Sequence, residues 1–399
     1  MVKKGSLCKI YYGWFIVLGA FLALLISSIR VYSFGVFIEP LTQEFGWSRA
    51  PLTLGFSISL FVTSFFGIIA GRWSDKYGVR KLMAAGTVLI AAGFLLSSRI
   101  ETIQHLYLSF LLVGIGASAV YIPVTTTVAR WFDERRGLAV GISVTAIAIS
   151  MASFPPILER FIHSLGWRTT FVIIGILSLA ALSVSTLLMK RAPDNRWNND
   201  GKGFKGKHYT LKEALHTKFF WIIYFMFMMA QFSAMTITVH IIPYAIDAGI
   251  PSFYAATVLT IIGIANIFGR IIGGWTSDKL GVIKGVSIFF VFQAAAIFML
   301  PFAAGLSTMY AIVTLFGLAY GGWVMIYPVI TSRLFGTKNS GAILGALGTV
   351  AGLGGAFGPY LAGYLYDVTG VYDLAFLISG VMTAAALGLS FLFIRVYKE

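Results

Sequence analysis

Long apolar segments follow one another along this sequence of 399 residues and constrain it more than any other feature. They reach roughly 18 residues or more, the length that spans the hydrocarbon core of a bilayer. Hydrophobic residues make up 58% of the chain and charged residues 11%, whereas soluble domains carry about 25% charged residues. The first segment is too long, and too well followed by others, to be a cleaved signal peptide. We therefore predict an all-α membrane protein.

Twelve transmembrane helices are predicted at 12–39, 50–74, 80–98, 104–131, 137–161, 168–189, 218–244, 252–275, 284–302, 306–333, 339–365 and 373–396. With these spans, 24 of the 30 Lys and Arg residues fall on one side, together with both termini. Cytoplasmic loops carry such an excess. The net charge of +15 therefore predicts a multi-pass protein of the plasma (inner) membrane with cytoplasmic termini, and not a nucleic-acid partner.

An internal repeat with a shift of 203 residues divides the chain. Segment 71–81 (GRWSDKYGVRK) recurs as 274–284 (GWTSDKLGVIK), and the same shift maps Pro40 onto Pro243 and Glu44 onto Asp247. The polar segment 190–217 separates the copies. We predict a six-helix bundle at 1–189, a cytoplasmic linker at 190–217 and a second bundle at 218–399, with the substrate site near mid-membrane between the bundles.

The repeated segment has a structural and gating interpretation. Its glycines allow a tight turn between two spans, and its charged residues can pair with helix ends at the cytoplasmic face. The residues assigned to this role are Gly71, Asp75, Lys76, Gly274, Asp278 and Lys279.

The repeated pattern G-x-x-x-D-K-x-G-x-x-K resembles the loop signature of the major facilitator superfamily. Further fragments resemble the monocarboxylate transporter family and its prokaryotic neighbours, including oxalate/formate exchangers: 11–14 (YYGW), 33–37 (SFGVF), 44–49 (EFGWSR), 240–250 (HIIPYAIDAGI), 266–270 (NIFGR) and 366–372 (YDVTGVY). The resemblance implies transport of a small carboxylate, usually with a proton, by a rocking motion of two six-helix bundles.

The chain departs from both relatives at specific positions. Animal monocarboxylate carriers have an Asp one turn before the arginine of span 8, where this chain has Asn266, and a lysine in span 1 near Tyr32. Oxalate exchangers add a lysine in span 11, whereas 343–361 contains no charge here. We therefore predict a proton-coupled symporter of a lactate-like or pyruvate-like monocarboxylate, with an oxalate/formate-type antiporter as the alternative. A non-transporting membrane sensor is a more distant alternative.

Arg270 is the first candidate for binding the carboxylate. An ionisable side chain at membrane depth is costly and is read as functional by default. Its repeat equivalent is Gly67, so the duplicated scaffold does not require a charge there. A guanidinium offers a fork of donors that matches a carboxylate. Pairing with an acid elsewhere or with helix-end carbonyls is the structural alternative.

Two residues are candidates for carrying the proton. His240 replaces Phe37 of the repeat, and an imidazole titrates near neutral pH, although it can also bind substrate without titrating or be structural. Asp247 is the proton acceptor that the family resemblance suggests. Its symmetry with Glu44 equally favours an acidic turn or a cap for the next helix.

Three more residues are predicted to line the site. Arg30 lies two turns before Phe37 on the same face, so it faces the cavity if His240 does; snorkelling outward is the alternative. Tyr121 and Tyr320 can orient the substrate and limit its size, or simply pack. Metal-ligand spacings, phosphate loops and catalytic triads are absent from the sequence, and there is one cysteine, so we expect no enzyme, metal or cofactor. The expected partners are the carboxylate, the proton and the bilayer.

Overall fold

A computed structural model describes residues 11–132, 135–191, 208–336 and 340–398. These residues form helices and no strands. In hydrocarbon every backbone N–H and C=O must be paired within the protein, and a helix satisfies this requirement within one segment. The predicted all-α membrane fold is confirmed.

The first half of the chain forms spans 1 to 6. Span 1 is interrupted into Gly13–Ser27, Ile29–Tyr32 and Gly35–Phe45, and span 4 into Ile103–Ser118 and Tyr121–Trp131; span 2 is Arg49–Tyr77, span 3 is Val79–Ser97, and Arg136–Leu188 holds spans 5 and 6. This last helix bends at Gly166, whose φ of 81° is not helical, so it crosses the membrane twice.

The second half forms spans 7 to 12. A short helix, Leu211–Leu215, precedes them; the spans are Lys218–Asp247, Ser252–Lys279, Val282–Met299, Leu306–Phe335, the interrupted span 11 (Ser340–Leu347 and Thr349–Thr369) and Asp373–Lys398. Eleven described helices are long and apolar enough to cross a membrane, and the bend at Gly166 turns one of them into two. The described chain therefore has twelve spans in two six-helix bundles. We propose that the bundles end at 189 and begin at 218, as predicted from the sequence.

Because the number of spans is even, the first and last described residues lie at the same end of the helices, which we call the termini face; the opposite end is the distal face. Span 8 packs closely on span 10. A Cβ atom placed on Gly273 would lie only 2.5 Å from the carbonyl oxygen of Gly322, so the two backbones are in direct contact. In lipid no hydrophobic effect drives helices together, and small residues favour their association because they allow the backbones to pack closely. This close pair holds the helix that carries Arg270.

The turns of the repeated segments differ from the sequence prediction. Spans 2 and 8 remain helical through Tyr77 and Lys279, so Gly71 and Gly274 lie inside helices and make no turn. The chain reverses instead at Gly78 and Gly281, with φ of 88° and 85°, a conformation open mainly to glycine. The glycines that turn the chain in the repeated segments are therefore Gly78 and Gly281, and not Gly71 and Gly274 as predicted.

Two charged residues of these segments contact neighbouring helices. Asp278 pairs with Arg333 at 3.4 Å, and Arg80 donates hydrogen bonds to carbonyl oxygens at the end of span 6, including that of Met189 at 3.1 Å. Lys76 lies 5.1 Å from the ring of Tyr77, while Lys279 ends its helix. The side chain of Asp75 lies outside the described part of the protein.

Candidate functional site

Arg270 stands at mid-membrane on span 8. It lies nine residues before the end of Ser252–Lys279, hence about 14 Å from the termini face. Its hydrogen-bond partner lies one helical turn earlier in the same span: Arg270 Nε donates to Asn266 Oδ1 at 2.9 Å. In the described residues, no carboxylate lies within ion-pair distance of Arg270. The guanidinium is thus oriented by a neutral amide and keeps its positive charge for another anion.

Tyrosine hydroxyls from three other spans lie near this guanidinium. Tyr32 of span 1 and Tyr320 of span 10 approach to 3.5 Å between their hydroxyl oxygens. Arg270 lies within electrostatic range of both hydroxyls and of the Tyr121 hydroxyl on span 4. We call Tyr32, Tyr121, Tyr320, Asn266 and Arg270 the central cluster. It joins the two halves of the chain at mid-depth.

Tyr121 shows where the central cluster opens. Half of this side chain is exposed, whereas Tyr320 is buried. Arg270 of the other half lies near the Tyr121 hydroxyl, so this hydroxyl is placed toward the space between the halves. The hydrogen bonds that join the halves beyond the cluster lie toward the distal face, for example Thr260 to the Ala152 carbonyl at 2.7 Å and Ser57 to the Ala356 carbonyl at 2.5 Å.

Arg30 is buried inside the first half and only approaches the cluster. It is 9% exposed, and its Nη1 donates to Ser59 Oγ at 3.1 Å. Within the described chain, its Nε has no hydrogen-bond partner. It lies near the Tyr32 hydroxyl, and its burial and its bond to Ser59 keep it out of the open space.

Arg30 was predicted to face the cavity because it shares a helix face with Phe37, the repeat equivalent of His240. The structure contradicts this prediction. Phe37 does not face the space between the halves; its ring stacks on Phe171 with a centroid distance of 4.1 Å. Arg30 and Phe37 instead border a cavity of about 10 Å³ inside the first half, together with Phe94 and Phe110. Residues two turns apart share a face, as predicted, but here that face is the interior of a bundle.

His240 is also placed away from the central cluster. It is fully buried, and both ring nitrogens are occupied: Nδ1 lies 2.9 Å from the Tyr372 hydroxyl and Nε2 lies 2.8 Å from the carbonyl oxygen of Pro359. Contact with a substrate at Arg270 is therefore not available to His240 in this conformation. It belongs to a set of residues joined by hydrogen bonds near the distal face, which we call the closed distal layer: His240, Tyr372, Arg49 and Asp247.

Asp247 does not cap the next helix, which was one of the structural alternatives that its sequence pattern suggested. It is the last residue of span 7, and Arg49 of span 2 holds it through two bonds, Nη1 to Oδ2 at 2.7 Å and Nη2 to Oδ1 at 2.8 Å. Arg49 Nη1 also donates to the Tyr372 hydroxyl at 2.6 Å. The described helix after Asp247 begins at Ser252 with no side-chain cap.

Sequence reasoning missed several of these residues as participants. Arg49 was assigned to a loop, although its repeat equivalent is Ser252, a difference that could have marked it as Arg270 was marked by Gly67. Asp367 and Tyr372 lie in a fragment used only for the resemblance. The partnership of Tyr32 with Tyr320 joins spans from different halves, and no pattern in one sequence specifies such a contact.

Two pseudo-symmetric six-helix bundles, a polar cluster at mid-membrane between them and closure at one face define a membrane transporter, not an enzyme. The chain belongs to the Major Facilitator Superfamily, whose family model matches residues 18–359.

Curated relatives include carriers of organic anions. The chain is 28% identical over 391 residues to monocarboxylate transporter 13 of Rattus norvegicus, covering 94% of this chain and 88% of the relative. It is 26% identical over 389 residues to the oxalate:formate antiporter of Oxalobacter formigenes, covering 94% of this chain and 90% of the relative. The protein is therefore a superfamily transporter related to both groups.

A solved structure shows the same fold. It is a bacterial homologue of the human lysosomal transporter Spinster in an inward-facing, unoccupied conformation. The TM-score is 0.78 at 17% identity, with 98% of each chain covered. The predicted major facilitator fold is confirmed over almost the whole chain.

Proposed function

We propose that this protein is a proton-coupled symporter that carries a small monocarboxylate, such as lactate or pyruvate, by alternating access. The observation that carries the proposal is the central cluster. A guanidinium at mid-depth has no described carboxylate partner and lies near tyrosine hydroxyls from both halves. A carboxylate supplies the missing negative charge, and the fork of a guanidinium matches its two oxygens.

Each residue of the site then has a role. Arg270 binds the carboxylate, Asn266 orients the guanidinium, and Tyr121 and Tyr320 donate hydrogen bonds to the substrate and limit its size. Arg30 acts from behind Tyr32 as a second positive charge. Asp247 or His240 carries the proton, and both belong to the closed distal layer, where they can link proton binding to opening of that face.

Charge balance supports the coupling. Arg270 is costly in a dry cavity without an anion. A monoanion neutralises it, and a proton bound elsewhere keeps the loaded carrier at the same net charge as the empty one. The membrane potential then exerts no net force on the reorientation of the loaded carrier.

The excess of Lys and Arg on the termini face supports a location in the plasma (inner) membrane with both termini in the cytoplasm. In that orientation the distal face is the outer one. The conformation described here is then closed to the outside, with Tyr121 exposed toward the cytoplasm.

An oxalate/formate-type antiporter is the second candidate, and Arg30 favours it. A second buried cation within electrostatic range of the Tyr32 hydroxyl could serve the second carboxylate of a dianion. However, Arg30 is already bonded to Ser59 and does not reach the open space, so a single carboxylate at Arg270 fits better.

Uptake into proteoliposomes tests the proposal. We expect an inward pH gradient, acid outside, to drive accumulation of labelled lactate, lactate-sized monoanions to compete well and oxalate to compete poorly. Arg30→Gln lowers affinity without changing that order. His240→Ala and Asp247→Asn, measured in parallel, identify the proton carrier as the variant that loses accumulation more than exchange. Strong inhibition by oxalate that Arg30→Gln abolishes would establish the antiporter instead.

A further inference from the structure

The distal face is closed by a polar network that crosses between the halves. Its central residue is Arg49, whose side chain is only 7% exposed, while that of its partner Asp247 is 32% exposed. The ring of Tyr366 covers the guanidinium at 3.7 Å, a distance suited to a cation–π contact. Span 2 thereby contacts spans 7 and 11 and the start of span 12 through one side chain.

Asp367, from the second half, caps the helix of span 2. Helix N-termini leave their first N–H groups without intrahelical partners. Ser48 precedes this helix but forms no side-chain cap. Asp367 Oδ1 accepts from the Arg49 N–H and Oδ2 accepts from the Ala50 N–H, both at 2.8 Å. A carboxylate is also favoured by the positive end of the helix dipole.

Donor and acceptor requirements link this network to His240. Because Arg49 can only donate, the Tyr372 hydroxyl accepts from it and has its own proton left to donate to His240 Nδ1. His240 Nε2 must then carry a hydrogen and donate it to the carbonyl oxygen of Pro359. A neutral imidazole with its hydrogen on Nε2 satisfies all of these contacts. The chain of bonds runs from Asp247 to span 11 with every partner satisfied.

We propose that Arg49, Asp247, Asp367 and Tyr372 form a latch that holds the distal face closed, acting as positioning residues for alternating access and not as substrate ligands. Each bond of Arg49 and Ala50 named above joins span 2 to the other half, so separation of the halves at this face breaks all of them together. Asp247 and Asp367 stand at the edge of the protein, where water can solvate them once the latch opens. The proposal does not depend on which anion is carried.

Accessibility of a reporter cysteine in nanodiscs tests the latch. Thr53 lies one turn below Arg49, is fully buried and faces Gly363 of span 11. Thr53→Cys in a Cys8→Ser background should react slowly with a soluble maleimide. We expect Arg49→Gln, Asp247→Asn and Asp367→Asn each to raise the labelling rate at least tenfold. The assay needs neither substrate nor a proton gradient, so its outcome is independent of the transport proposal.

Glu44→Gln is the matched control, because it removes the repeat-equivalent acid whose described ion pair stays within the first half. Its labelling rate should stay within about twofold of the parent. The exchange Arg49→Asp with Asp247→Arg tests for a specific pair: each single change opens the face and the double change restores protection. Unchanged labelling in Arg49→Gln and in Asp367→Asn would overturn the proposal, as would labelling that the double change does not reduce.

Discussion

The two halves of the chain use the same acidic position differently. Glu44 and Asp247 are related by the repeat, and each follows a proline near the distal end of its helix. Glu44 pairs with Arg168 of its own half and accepts from Trp167 Nε1 at 2.6 Å. Asp247 pairs with Arg49 of the other half. One ion pair lies within a bundle, and the other joins two bundles.

The reason lies at the start of spans 6 and 12. Gly166 and Gly370 both have positive φ, 81° and 75°, and each turns the chain between two consecutive spans. Two residues later the first half has Arg168 and the second half has Tyr372. The first half therefore supplies a cation to its own acid. The second half supplies a phenol, and its acid takes the cation from across the interface.

Exposure separates the two pairs further. The Arg168 and Glu44 side chains are 44% and 39% exposed, whereas that of Arg49 is 7% exposed. Ion pairs at a solvated surface contribute about 0–1 kcal/mol, while removing one partner of a buried pair costs about 3–5 kcal/mol because it leaves a charge uncompensated. Removing the acid at this duplicated position should therefore cost little stability in the first half and more in the second.

The largest predicted effect concerns Arg270, whose repeat equivalent in the first half is Gly67. Arg270→Ala should reduce carboxylate uptake about 100-fold, since a hydrogen bond to a charged group contributes about 1.5–3 kcal/mol and more than one is lost. Gly67→Ala is the control, because its Cβ would meet only the flexible end of Ile122 at 3.3 Å. Initial rates in proteoliposomes measure both. Normal uptake by Arg270→Ala would place the substrate elsewhere.

A smaller effect is expected from the phenol that replaces Arg168. Tyr372→Phe removes one acceptor from Arg49 and leaves buried His240 Nδ1 without its donor, a loss of about 1–3 kcal/mol. The closed state should weaken, and labelling of Thr53→Cys should rise severalfold, less than in Asp247→Asn. Arg168→Gln, at the corresponding position of the first half, should leave labelling unchanged. Equal effects of the two changes would remove the asymmetry.

The smallest effect is expected for Glu44→Gln. Hydrogen bonds from Arg168 and Trp167 hold the pKa of the Glu44 carboxyl below its usual range. A lowered pKa in the folded protein contributes stability above the unfolded value, about 4.3, and this contribution disappears as the pH falls through the folded value. Thermal unfolding in nanodiscs should show a loss of about 0.5 kcal/mol at pH 7. The difference should vanish in strong acid; a difference that persists there would indicate packing.

Much of the fold followed from local features of the sequence. Apolar segments of sufficient length predicted the spans, and the repeat predicted two related bundles, because both depend on residues close together in the chain. The breaks were not predicted: span 1 is interrupted after Ser27 and again before Gly35, and span 4 after Ser118. Such breaks depend on packing against neighbouring helices, which local hydropathy does not report.

The candidate site was predicted only in part. Arg270 and the tyrosines stood out because a charge or hydroxyl at membrane depth needs a partner, and the structure brings them together although their roles stay a proposal. Phe37 and His240 were placed by assuming that repeat-equivalent residues share surroundings. The structure shows different ones, a stacked pair inside the first half and a hydrogen-bonded layer at the distal face.

The sequence by itself determined that this chain crosses a membrane twelve times as two related halves, because the length and polarity of each segment decide whether it can remain in lipid. It also determined which side chains would be costly there. Only the tertiary structure decided where those side chains find partners. Arg49 meets Asp247 and Asp367 across 198 and 318 residues of chain, and such contacts depend on how two bundles are set against each other and not on any local pattern.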